Sequence, residues 1–166
     1  TEEWAFALGE AARIGGASSA GSSLPTPVYE FIAGPILSKS GKVCGVTSNT
    51  PSLLVCFPFD GVAFGTVSEA SVSGTMSTAS PSSDAQGNIW TGSFDAKVSR
   101  TDAAGLNTPV ATLLSSIPEA IVVLASGDVV VCDQGKHLHK LSASGTAIWN
   151  PAVALDGIPL APLALD

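Results

Sequence analysis

The sequence predicts an all-β chain built from tandem antiparallel units, and three observations predict it. Four glycines, Gly21, Gly61, Gly105 and Gly145, recur at spacings of 40, 44 and 40 residues, each seven residues after an apolar landmark: Ile14, Leu54, Val98 and Leu138. A second series, Gly41, Gly87 and Gly127, stands two residues before Val43, Ile89 and Val129 and interlocks with the first at 20, 18 and 18 residues. Between these glycines lie short runs that alternate or stay apolar, "GDVVVCD" and "HLHKLS" being the clearest, joined by turns bearing Gly or Asp. About four strands in roughly forty residues is the unit of a β-propeller blade. The expected fold is therefore a β-propeller of about four antiparallel blade repeats: a closed four-blade ring, a ring shared within an oligomer, or part of a larger propeller.

The elements follow in order, in one domain over 1–166 with approximate repeats 1–40, 41–86, 87–126 and 127–166. In the first repeat "EEWAFALGEAARIGG" aligns with the hairpins of the others, while its good helix formers make a helix the competing reading. The second opens at "GKVCGV" and returns through "SLLVCFPFDG". The third and fourth, "GNIWTGSFDAKVSRTDAAG" and "GDVVVCDQGKHLHKLSASG", state one nineteen-residue pattern in different residues. Extended segments lead into them: "YEFIAGPILSKSG", "MSTASPSSDAQG" and "IPEAIVVLASG". A closing strand is expected in "GTAIWN", and "PLAPLALD" starts a further unit. The chain thus begins in the second strand of one blade and ends in the first strand of another.

Composition narrows the partners. With 14 acids against 7 bases the net charge is −7, a field that repels phosphate backbones and excludes nucleic acid. Charged residues are 13% of the chain, and no uncharged run is apolar enough to span a bilayer. No charged start followed by a hydrophobic block suggests a signal peptide, and there is no Asn-X-Ser/Thr sequon. Few lysines among many Ser, Thr, Gly and Ala point to an extracellular or periplasmic setting.

Few residues offer chemistry. His137 and His139 are the sole histidines; two apart on a strand, they share a face with Leu138 on the other. With Asp133 they could begin a metal site, against the plainer reading of a wet strand surface, since Lys97 and Ser99 hold the same places one repeat earlier. Aligning "GKVCGV" with "GNIW" puts Cys44 at the place of Trp90 and Cys56 at the place of Arg100, nearly opposite across a hairpin. A cross-strand Cys44–Cys56 disulfide is then geometrically open, with buried free thiols as the alternative. Cys132 is expected to be a small buried apolar residue. Asp60, Asp84, Asp95, Asp102, Asp133 and Asp156 lie in turns or strand ends, where Asp commonly serves local backbone hydrogen bonds. Trp4, Trp90 and Trp149 are expected to pack between blades, with stacking on sugar rings in a lectin-like site as the alternative.

"IPEAIVVLASGDVVVCDQGKHLHKLSASG" resembles an NHL-type repeat, and "DAQGNIWTGSFDAKVSRTDAAG" is similar to blades of streptogramin-lyase and gluconolactonase-like propellers; quinoprotein-type blades share the outline. The resemblance implies a propeller, and it implies a divalent metal near the channel only for the enzymes of that group, whose motif matches no position here residue by residue. The leading expectation is a non-catalytic interaction or scaffold module for a protein or glycan, with no cofactor. Two alternatives stand beside it. One is a metal-assisted lyase or lactonase using His137 or His139 with a divalent metal ion. The other is a structural subunit of a repetitive surface assembly or homo-oligomer.

Overall fold

The computed structural model describes residues 33–47, 52–59, 67–72, 80–115, 117 and 120–157. Among the described residues there are twelve strands and no helix. The first sheet comprises β1 (Ile36–Leu37), β2 (Lys42–Val46), β3 (Leu53–Pro58) and β4 (Ser68–Ser71). The second comprises β5 (Ser82–Ser83), β6 (Ile89–Gly92), β7 (Lys97–Thr101) and β8 (Asn107–Thr112). The third comprises β9 (Ala120–Val123), β10 (Val129–Cys132), β11 (His137–Leu141) and β12 (Val153–Ala154). Each sheet runs in chain order, and its strand pairs are antiparallel.

One turn builds all three sheets. Between β5 and β6 the Gly87 N–H donates to the Asp84 carbonyl and the Asp84 N–H to the Asn88 carbonyl, both at 3.1 Å. This is a three-residue loop closed by a residue in the left-handed region, Gly87 at φ 82°. The same pair of bonds recurs in the turns that start at Ser38, Ser93, Asp102, Leu124, Asp133 and Ser142. Their closing residues are Gly41, Ala96, Gly105, Gly127, Lys136 and Gly145, every one at positive φ. The glycine period of the sequence is therefore a period of turns. Gly41, Gly87 and Gly127 close the first turn of each sheet, and Gly105 and Gly145 the third turn of two; Gly21 and Gly61 lie outside the described residues.

The first residue of the turn matters as well. Where it is Ser or Asp, its side-chain oxygen accepts the N–H four residues on: Ser38 from Lys42, Asp84 from Asn88, Ser93 from Lys97, Asp102 from Leu106, Asp133 from His137 and Ser142 from Thr146. A short side chain with an acceptor holds the hairpin shut. Only Leu124, among these seven, cannot.

The sheets then stack face to face. Cys44, Val46, Leu54 and Cys56 of the first pack with Ile89 of the second. The other face of the second offers Trp90 and Val98 to Val129, Val131 and Leu141 of the third, with Ile117 between. Trp90 is fully buried, worth roughly 4–6 kcal/mol of apolar transfer as an upper bound. Along the inner edge β5 lies against β1 and β9. There the Ser83 hydroxyl accepts the Lys39 N–H at 3.2 Å and the Ser82 hydroxyl accepts the Val123 N–H at 3.1 Å, tying β5 to both neighbours.

One expectation fails in its placement. "GTAIWN" contributes only a bridge from Ala147 to Leu141, and the outer strand of the third sheet comes later, at Val153–Ala154. The Ile148 and Trp149 N–H groups both turn to the Lys140 carbonyl, at 2.7 and 3.3 Å, which bulges the chain outward. Pro151 then has no N–H to continue a ladder. The "EEWAFALGEAARIGG" and "PLAPLALD" segments lie outside the described residues.

Candidate functional site

The chemistry gathers at the β10–β11 end of the third sheet. Asp133 follows β10 directly and opens the turn, Lys136 closes it at φ 63°, and His137 begins β11. Val131 pairs directly with His139 and Val129 with Leu141, so His139 projects toward the second sheet with the core residues Val129 and Val131. His137, two residues back, shares that side. Asp133 is fully buried.

The three side chains converge. Asp133 Oδ2 lies 2.8 Å from His139 Nε2, and Asp133 Oδ1 lies 3.3 Å from His137 Nδ1. The two imidazole centroids are 6.1 Å apart, and all three ligand atoms fall within 4.8 Å of one another. His139 is largely covered, while 40% of the His137 side chain is exposed. Even so, His137 Nδ1 itself is buried and makes no hydrogen bond. Gly135 leaves the space for this approach: a Cβ there would lie 2.9 Å from His137 Nδ1 and 3.1 Å from Asp133 Oδ1.

The other candidates are placed elsewhere. Cys44 and Cys56 sit directly opposite across β2 and β3, with Cα atoms 4.1 Å apart, and are joined by a disulfide. That separation belongs to a non-hydrogen-bonded cross-strand pair. The disulfide forms part of the wall of a cleft of about 90 Å³ between the first two sheets, at the end opposite the histidines. Ser38, Ser40, Glu69 and Asp102 also line it. Cys132 is buried, and burial followed by the neighbouring Asp133 charge pushes its thiol up, so it is a poor thiolate.

Asp84, Asp102 and Asp133 all open turns, as turn aspartates do. Asp84 does more than its neighbours. Burial pushes its carboxyl up, but bonds from the Asn88 side chain, the Trp90 indole and the Asn88 and Gln86 amides together hold it below the usual carboxylate range. Asp128 pairs with Lys140 at 3.0 Å across β10 and β11. Trp90 is packed between blades as expected, whereas Trp149 is exposed beside Ile148 and Val153. Glu119, Asp60 and Trp4 lie outside the described residues.

Sequence reasoning missed three of these features. The Trp90–Asp84 bond could have been found from the "SDAQGNIW" spacing, because a residue opening a turn and one two places into the next strand meet on one side. The Ser82 and Ser83 links between blades leave no mark in a sequence rich in serine. The exposure of Trp149 follows from the bulge, which the glycine period does not encode.

Three stacked four-stranded antiparallel sheets joined by repeating turns define a β-propeller. No protein-family model matches the chain, and no curated protein matches it. Among solved structures 35 chains match, and one is the crystal structure of BamB from Moraxella catarrhalis, with a TM-score of 0.50 at 15% identity over 75% of this chain and 35% of that one. At that identity the similarity shows the propeller fold alone. The chain spans about a third of the length of BamB.

Proposed function

We propose that the chain is a non-catalytic interaction module, a propeller segment over 1–166 that presents its outer strands to a protein or glycan partner outside the cytoplasm. The exposed Ile148, Trp149 and Val153 around β12 carry this reading. A tryptophan whose backbone is bonded to Lys140 and whose side chain is partly in water has the character of residues that dominate interfaces and stack on sugar rings. The Cys44–Cys56 disulfide supports an oxidising compartment. No helix among the described residues is long and apolar enough to cross a membrane.

The metal-assisted lyase or lactonase reading has the Asp133–His139 contact in its favour, since a carboxylate that fixes an imidazole makes a serviceable acid or base. A glycan array and a cross-linking survey of envelope proteins, run with the intact chain and with Trp149→Ala, separate the two. Binding that disappears in Trp149→Ala supports the module. Turnover of lactone or ester substrates that His139→Gln abolishes, with no binding through Trp149, overturns it.

A further inference from the structure

The geometry points to a divalent transition-metal site formed by Asp133, His137 and His139, with Zn²⁺ as the best-matched ion and one coordination position open to solvent. This inference is independent of the interaction module and survives whether or not that reading does.

Four observations carry it. First, a fully buried carboxylate faces two imidazoles among the described residues. A buried anion is costly unless a cation or good hydrogen bonds compensate it; Asp133 has two bonds, from the His137 backbone N–H at 2.9 Å and with His139 Nε2 at 2.8 Å, and a metal ion would add the positive charge that a backbone amide cannot. Second, His137 Nδ1 is buried, makes no hydrogen bond and lies 3.3 Å from Asp133 Oδ1, inside the cluster. Deprotonated, that nitrogen offers a lone pair to a metal ion on the side where the carboxylate stands. Third, Gly135 keeps clear the space that a Cβ would fill. Fourth, the turn does not need this chemistry. In the second sheet Ser93 makes the same cap to the Lys97 amide at 3.2 Å, and in the β11–β12 turn Ser142 does so at 3.1 Å.

The separations suit the ion. Zinc–nitrogen and zinc–oxygen bonds of about 2.0–2.2 Å in a tetrahedron place ligands about 3.3–3.5 Å apart. The 3.3 Å separation of His137 Nδ1 from Asp133 Oδ1 already has that length; His139 Nε2 lies 2.8 Å from the other oxygen, Oδ2, so a zinc ion would draw both imidazoles toward one oxygen or be held by both. All three donor atoms lie within 4.8 Å of one another, so tetrahedral spacing requires the widest edge to draw in by at most about 1.5 Å. Two nitrogens and one carboxylate favour a borderline ion over Mg²⁺ or Ca²⁺, which require mostly oxygen. With three protein ligands and His137 partly exposed, the fourth position opens outward, as in sites that keep a water or accept a ligand from a partner.

The test is titration of the intact, disulfide-bonded chain with Zn²⁺ against a competing chromophoric chelator, with Mg²⁺ and Ca²⁺ as controls. One equivalent of zinc bound, with neither hard cation competing, is the expected result. His139→Gln, and His137→Gln separately, should weaken binding by more than the about 10–100-fold that even outer partners of a metal are worth. Gly135→Ala, which removes no ligand, should weaken it too by crowding His137. Circular-dichroism melts of each variant without metal identify any that fail to fold, and Gly135→Ala and His137→Gln at the exposed edge keep the test open if His139→Gln does not. Absence of stoichiometric zinc, or variants that fold and bind as tightly as the parent, overturns the site.

Discussion

The second and third blades share a backbone and differ in what they do with it. At the β6–β7 end the second blade has Ser93, Lys97 and Ser99; at the β10–β11 end the third has Asp133, His137 and His139. Both ends close with the same two backbone bonds and the same non-glycine residue at φ 63°, Ala96 and Lys136. Yet Ser99 Oγ and the Thr91 hydroxyl paired with it are buried without a hydrogen-bond partner, whereas the third blade concentrates a carboxylate and two imidazoles. The difference teaches that the turn fixes where side chains go and leaves open what they are. Two blades can be superposable in the ladder and unrelated in chemistry.

The largest effect should come from their third turns. A Cβ at Gly145 would run into the Val110 backbone carbonyl, while one at Gly105 would lie 4.0 Å from the Glu69 carbonyl. Both glycines have φ near +85°, so alanine costs about 1–2 kcal/mol at either from conformation alone. Gly145→Ala adds a clash with unyielding backbone worth about 1–3 kcal/mol more. Urea denaturation should therefore show Gly145→Ala less stable than Gly105→Ala, and equal losses would break the picture of a tight third-blade joint.

Next comes one register read across three blades. Cys44 opposite Cys56, Trp90 opposite Arg100 and Val130 opposite Lys140 occupy equivalent places. Only the first is covalent; the second brings the Arg100 guanidinium to 6.0 Å from the Trp90 ring centroid. A disulfide closing a loop of this length, 12 residues apart in sequence, stabilises by about 3 kcal/mol in the chain-entropy model. Reduction, or the Cys44→Ser/Cys56→Ser pair, should lower stability by about that amount in the same assay. Arg100→Ala should cost about 1 kcal/mol or less.

A smaller effect separates the first turns, where Asp84 of the second blade corresponds to Leu124 of the third. Asp84→Ala leaves the buried Trp90 indole N–H unpartnered and removes a cap, for a loss of about 2–3 kcal/mol. Because the folded-state carboxyl is held below its unfolded value of about 3.9, its stabilisation is present above that pH and fades as pH falls through the folded value. Thermal melts between pH 7 and pH 2 should show this acid-side loss in the parent and a flatter profile in Asp84→Asn.

The smallest effect is a gain. Ala96→Gly and Lys136→Gly relieve left-handed strain in both blades and should each raise stability by up to about 1 kcal/mol, measured by the same denaturation. A loss at Lys136 alone would show that its side chain does more than close a turn.

Much of this was written in the chain. The interlocked glycines located five of the seven turns, because a hairpin loop ending in the left-handed region selects glycine at a fixed place. The apolar landmarks Leu54, Val98 and Leu138 each became the second residue of the third strand in their sheets. The shared side of His137 and His139 followed from strand period alone. The turn at Ala96 carries no glycine to mark it, and the one at Lys136 was marked only by Asp133 and Gly135 inside it, because the residue that closes each is not glycine. The gathering of Asp133 with the histidines was harder to see, since it depends on the turn folding a strand end back over the next strand. The bulge at Ile148 and Trp149 depends on two amides choosing one carbonyl, and no local pattern announces that choice.

The disulfide spans β2 and β3 within a single sheet, so it carries none of the load between sheets. Force applied to separate the blades would reach first the two serine hydroxyls of β5 and the apolar faces on either side of it. A pull that parts the first two blades would leave β2 and β3 still joined by their covalent link.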